Sequence, residues 1–109
     1  MTYNLYFSDV RTGNVADEPV AWRIDTLVHA RETAIAILRK ARHTSIAIYM
    51  MANGNEIYQG YVRYDGDAYF YYAVSGKKWR IGTDGKIVKL RKNPKTEYGI
   101  KGKLRPFGL

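Results

Sequence analysis

Four Xaa-Gly pairs punctuate the second half of this chain: Asn53-Gly54, Asp65-Gly66, Ser75-Gly76 and Asp84-Gly85. They recur every 9–12 residues, and each separates segments rich in β-branched and aromatic residues. Asn-Gly and Asp-Gly accept the positive φ angles that tight hairpins demand. The punctuation therefore predicts an antiparallel meander of five strands over residues 45–52, 56–64, 68–74, 78–82 and 86–91. Segment 46–52 is apolar on both faces and belongs deep in a sheet. Segment 68–74 is two-sided as well, with Phe70, Tyr72 and Val74 on one face and Tyr69 and Tyr71 on the other.

The first half reads differently. Tyr3, Leu5 and Phe7 alternate with Asn4, Tyr6 and Ser8, and Val20, Trp22 and Ile24 alternate with Ala21, Arg23 and Asp25. Both are the period-2 pattern of half-buried strands, pairing as an opening hairpin with a long connection. From Leu27 to about Arg42 the period changes to 3.6, with Leu27, Ala30, Ala34, Ile37, Leu38 and Ala41 on one face. Asp25 or Thr26 caps its start, and Arg39, Lys40, Arg42 and His43 complement the dipole at its end. The alanines in the inward stripe imply a close approach to the sheet. The predicted fold is α+β, one domain over residues 1–109: an N-terminal β-hairpin, one amphipathic helix, then a meander packed on that helix. A small curled barrel with the helix at one end is the alternative. One helix does not cover both faces of such a sheet, so curling, the opening hairpin or another subunit is expected to cover the rest. Residues 96–109 read either as a final edge strand or as a mobile basic tail.

Composition excludes several chemistries. With no cysteine there is no disulfide framework, Cys-ligated zinc or thiol catalysis. His29 and His43 are fourteen residues apart on one helix, about 21 Å along its axis, and cannot share a metal ion. Asp65-Gly66-Asp67 is hairpin chemistry without the further ligands of a calcium loop. Ser8, Ser45 and Ser75 sit in no nucleophile elbow, and Gly76-Lys77 and Gly102-Lys103 lack the remaining positions of a phosphate loop. No metal, cofactor or catalytic residue is expected. A metal-free ribonuclease working through Arg, Lys and Tyr is the enzyme class that these residue types leave open. The opening residues lack a basic segment followed by an apolar run, and no apolar run approaches the roughly 20 residues of a membrane span. A cytoplasmic protein without membrane contact is the expectation.

The charge is one-sided. Of the net +8, residues 1–76 hold seven Lys/Arg against eight Asp/Glu, whereas residues 77–109 hold eleven against two. Such a field attracts polyanions. Lys77, Lys78, Arg80, Lys89, Arg91 and Lys92 gather on two short strands and their turns, with Lys89 and Arg91 facing solvent together if Val88 and Leu90 face the core. Trp79 flanks them, and Tyr69, Tyr71 and Arg63 on neighbouring strands extend the surface. Cations that track phosphates, interleaved with rings on which bases stack, are the parts of a single-stranded nucleic-acid platform. The expected function is therefore non-enzymatic nucleic-acid binding with little base specificity, because no groove-reading module is present. The rival is a structural or protein-interaction domain that covers its aromatic face with a second copy or an acidic protein, in which Tyr6, Tyr58 and Tyr64 matter as much as the lysines. Tyrosine and tryptophan also suit half-buried strands for packing alone, and edge lysines deter sheet aggregation.

Overall fold

The structure, a computed structural model, describes residues 1–41 and 44–88. Seven elements follow one another: β1 (Thr2–Ser8), β2 (Ala21–Ile24), α1 (Leu27–Leu38), β3 (Ser45–Ala52), β4 (Asn55–Asp65), β5 (Ala68–Ala73) and β6 (Lys78–Ile81). The strands form one antiparallel sheet in the order β2-β1-β3-β4-β5-β6. β1 and β2 are the expected opening hairpin, and β3 to β6 are the meander. The α1 crossover brings β3 back beside β1, so the hairpin extends the same sheet.

Turn chemistry sets these hairpins. Asn53 and Gly54 both have positive φ (52° and 79°), the paired conformation that a two-residue loop between twisted strands requires. Gly66, Gly76 and Gly85 also have positive φ. Of the fifth predicted strand, Ile87 forms an isolated antiparallel bridge to Ile81, and the Val88 N–H donates to the Arg80 carbonyl at 2.8 Å. Residues 89–91 of that segment, and the tail over residues 96–109, lie outside the described residues.

The helix starts where its cap predicts: the Thr26 hydroxyl accepts from the His29 N–H at 3.1 Å. It ends sooner than the 3.6 period suggested. After Leu38 the Lys40 and Ala41 N–H groups reach back three residues, to Ile37 and Leu38, and the chain tightens out of the helix toward β3. Arg39 and Lys40 therefore follow the last helical turn instead of forming it. Arg42 and His43 are outside the described residues.

Ala30, Ala34, Ile35 and Leu38 of α1 bury against Leu5, Ile46, Ile48, Val62, Tyr69, Tyr71 and Ile81 of the sheet. The two alanines allow the close approach that their place in the stripe implied, and each fully buried Leu or Ile contributes about 1.5–3 kcal/mol. Arg31 joins this interface and is only 6% exposed. Its Nε donates to the Gly85 carbonyl at 2.8 Å, and its guanidinium carbon lies 5.2 Å from the Tyr71 ring centre. Burial lowers its pKa from the ordinary value. Gly85 lies so near α1 that a Cβ there would stand 2.2 Å from the Val28 carbonyl oxygen. The Asp84-Gly85 turn is thus clamped to the helix.

Candidate nucleic-acid interface

Alternate residues of a strand face opposite ways, so register and helix placement together decide which aromatic rings are free. Tyr69 pairs with Tyr64 and Ile81, and Tyr71 with Val62 and Trp79. All of these stand on the helix side. Tyr69 and Tyr71 are 8% and 3% exposed, and Trp79 is half-buried, stacked on Tyr71 with ring centres 6.2 Å apart. The expectation that Tyr69, Tyr71 and Trp79 present a stacking surface is therefore corrected. Their side of the sheet carries Ile46, Ile48 and Val62, the most apolar ground available, and α1 buries its own apolar stripe there.

The opposite face is the open one. Tyr6, Ala47, Tyr61, Tyr72 and Lys78 fall in register on β1, β3, β4, β5 and β6, and beside them run Ser8, Ser45, Arg63, Phe70 and Arg80. Tyr49 and Tyr58 form a further pair across β3 and β4. The rings contact one another along two stretches. Tyr6 meets Tyr49 at 5.4 Å, Tyr49 meets Tyr58 at 5.4 Å, and Tyr61 stacks on Tyr72 at 4.8 Å and 13°. Phe70 follows at 6.4 Å from Tyr72. Ring pairs at these separations are the offset and edge-on arrangements that aromatic quadrupoles favour.

Tyr58 and Tyr61 share this face although three positions separate them, because the β3–β4 register shifts between Ile48 and Tyr49. The extra residue of the bulge reverses the alternation. Gly60 makes it possible: its φ is +145°, and a Cβ would lie 2.3 Å from the Tyr72 carbonyl oxygen. The bulge carbonyl of Gln59 accepts from the Tyr71 hydroxyl at 2.9 Å and from the Val74 N–H at 3.0 Å.

Positive charge lies along one side of the rings. Arg63 is half-buried, Lys78 and Arg80 are exposed, and Lys77 is exposed in the turn before β6. The Lys78 ammonium sits 4.4 Å from the Phe70 ring centre and 5.2 Å from that of Tyr72. Among the described residues Arg11 pairs with Asp9 and His29 lies 3.9 Å from Glu32, and no carboxylate there pairs with Arg63, Lys78 or Arg80. The far end carries Glu56, whose carboxylate accepts from the Tyr6 hydroxyl and from Asn4 Nδ2. The Glu56 bond, with burial, raises the Tyr6 pKa; burial is the main cause of the same shift at Tyr58 and Tyr61.

Of the predicted site residues, Arg63, Lys78 and Arg80 thus meet on one face, Lys77 borders it, and Tyr69, Tyr71 and Trp79 are on the other. Lys89, Arg91 and Lys92 lie outside the described residues. Tyr6 and Tyr58, singled out for the protein-interaction alternative, belong to the open face, whereas Tyr64 packs beside Tyr69 with ring centres 4.9 Å apart. Tyr49, Tyr61, Phe70 and Tyr72 are not among the ligand contacts expected from the sequence. The available signal was that they alternate with the core set on each strand. Among the described residues no group of three or more His, Cys, Asp or Glu is placed to hold a metal ion, and no helix is long and apolar enough to cross a membrane. Searches with protein-family models, curated proteins and solved structures return no match to this chain.

Proposed function

We propose that this protein binds single-stranded nucleic acid on the open face of its sheet, without catalysis and with little base specificity. The observation that carries this reading is the juxtaposition of the Tyr61–Tyr72–Phe70 rings with Arg63, Lys78 and Arg80 on the one face the helix leaves uncovered. Aromatic rings stack with bases of any identity, each contact contributing about 1–3 kcal/mol, while neighbouring cations track the phosphates. Nothing in that combination discriminates one base edge from another. The strand would cross the antiparallel strands over Tyr61, Tyr72 and Phe70, with its phosphates on Arg63, Lys78 and Arg80. Lys77, and the basic residues that follow Val88 in sequence, extend the electrostatic attraction.

Titration of a labelled oligo-uridine and an oligo-deoxythymidine at two salt concentrations, with size-exclusion mass measured in parallel, tests the proposal. The expected result is retention of both oligomers at low salt, weakened by Tyr72→Ser and by Lys78→Gln with Arg80→Gln, while the variants stay folded by circular dichroism. A stable oligomer of the chain that retains neither oligonucleotide would overturn the reading in favour of self-association through the same rings.

A further inference from the structure

Two cavities adjoin at the edge of the open face and share the wall formed by Ser8, Asp9 and Val10. The first, about 320 Å³, has Ala47 at its base and Tyr49, Tyr58 and Tyr61 around it. Ala47 lies in register between Tyr6 and Tyr61 and is 2% exposed. A methyl group in a row of rings leaves a slot about as wide as the missing side chain. Its outer wall is the segment after β1, held by bonds from the Asp9 N–H to the Asn14 carbonyl (2.9 Å), the Gly13 N–H to the Asp9 carbonyl (2.8 Å) and the Arg11 N–H to Asp9 Oδ1 (2.9 Å). The slot is built before any ligand arrives.

The second cavity, about 420 Å³, is polar: Ser8, Thr44 and Ser45 supply hydroxyls, and Arg11 and Arg63 supply positive charge. Ser45 Oγ and Thr44 Oγ1 both donate to the Ser8 carbonyl, at 3.0 and 2.8 Å, and the Ser8 and Ser45 hydroxyls lie 2.7 Å apart. The hydroxyl protons are thereby used within the protein. Arg11 pairs with Asp9 at 3.6 Å. The Arg63 guanidinium has no hydrogen-bond or ion-pair partner among the described residues, so its fork of donors is what the cavity offers an anion.

The offset between the cavities identifies a ligand. Ala47–Tyr61 and Ser45–Arg63 are successive same-face pairs, two residues apart on each strand, or about 7 Å. A ring slot one same-face residue pair away from a guanidinium that has no partner among the described residues suits a nucleobase and its own phosphate. We infer that the two cavities form one mononucleotide site, with the base seated over Ala47 among Tyr49, Tyr58 and Tyr61 and its phosphate on Arg63. The inference rests on the single-strand reading and specifies where one nucleotide of that strand is held; the other nucleotides pass over Tyr72 and Phe70.

Free nucleoside 5′-monophosphates, the matching nucleosides and inorganic phosphate are the probes, read by amide chemical shifts and calorimetry on the full chain. Monophosphates are expected to shift Ser45, Ala47, Tyr49 and Tyr58 signals and to bind about tenfold or more tightly than nucleoside or phosphate alone, the worth of a hydrogen bond to a charged group. Ala47→Met fills the slot and should abolish the shifts. Arg63→Gln, on the face away from the core, should reduce monophosphate affinity to that of the nucleoside, and it keeps the inference testable if the first variant fails to fold. Oligonucleotide binding without monophosphate binding, and unaltered by Ala47→Met, would overturn the mononucleotide site and leave the platform standing. Monophosphate binding without oligonucleotide retention would support the site and sink the strand reading. Binding of neither would overturn both.

Discussion

The Tyr71 hydroxyl donates to the Gln59 carbonyl at 2.9 Å, tying a core ring to the bulge that turns Tyr58 and Tyr61 together onto the opposite face. Core and open face are therefore coupled through one strand irregularity. Tyr71→Phe keeps the ring on Trp79 and Arg31 and removes only this bond, while the Val74 N–H still serves the carbonyl. The expected loss is about 0.5–1.5 kcal/mol in urea unfolding. A cost near that of losing the whole ring, about 3 kcal/mol or more, would mean that the bulge collapses with the bond.

Gly60→Ala should be far more damaging than Gly66→Ala. Both glycines have positive φ, +145° and +72°. At Gly66 a Cβ meets nothing within 4 Å, so only backbone strain is added, about 1–2 kcal/mol. At Gly60 the Cβ would lie 2.3 Å from the Tyr72 carbonyl oxygen and 3.0 Å from the Ala73 Cα, both of them backbone atoms. Either β5 moves away or the bulge is lost. Paired thermal melts should rank Gly60→Ala well below Gly66→Ala, and equal midpoints would contradict the geometry.

Arg31 is a buried cation whose bonds hold the turn after β6. Arg31→Ala removes its Nε bond to Gly85, its contact with Tyr71 and the apolar stem packed under α1. The expected cost is about 2–3 kcal/mol, from a charge-assisted bond and an unpaired carbonyl. Amide exchange should accelerate first at Gly82 and Val88, whose N–H groups bond within this turn and its return to Arg80. Unchanged exchange there would show that the turn holds without Arg31.

Stability should fall on the alkaline side. Tyr6 keeps its proton above the usual phenol range chiefly through its bond to Glu56, and Tyr58, Tyr61 and Tyr71 chiefly through burial. In the unfolded chain these phenols ionise near pH 10, so beyond that point the native state binds more protons than the unfolded one. Their contribution is thus fully present below about pH 10 and is lost as pH climbs through the raised native values. Urea melts across this range, followed alongside tyrosinate absorbance, check it. A midpoint that stays level well above the unfolded phenol range would refute the shifts.

If the open face carries a strand, its salt response should reflect few phosphates. Three contacts, at Arg63, Lys78 and Arg80, give a slope of log K against log salt of about −2, at roughly −0.7 per phosphate on single strands. Replacing all three with glutamine should flatten the slope by that amount, whatever cations elsewhere contribute. An unchanged slope would place the phosphates on other residues.

The strand periods, the Asn-Gly and Asp-Gly turns and the Thr26 cap are local properties, and they made the elements and their order legible without coordinates. Alternation alone also sorted Phe70 and Tyr72 from Tyr69 and Tyr71. It did not say which set faces outward, because both rows are aromatic and either suits a pleated surface. Nor did helical periodicity find Arg31, whose burial depends on a carbonyl 54 positions later in the chain. Those outcomes follow from where α1 comes to rest. A helix buries its apolar stripe against the most apolar ground offered by several strands at once, and that sum over Leu5, Ile46, Ile48, Val62 and Ile81 exists only after the strands have paired.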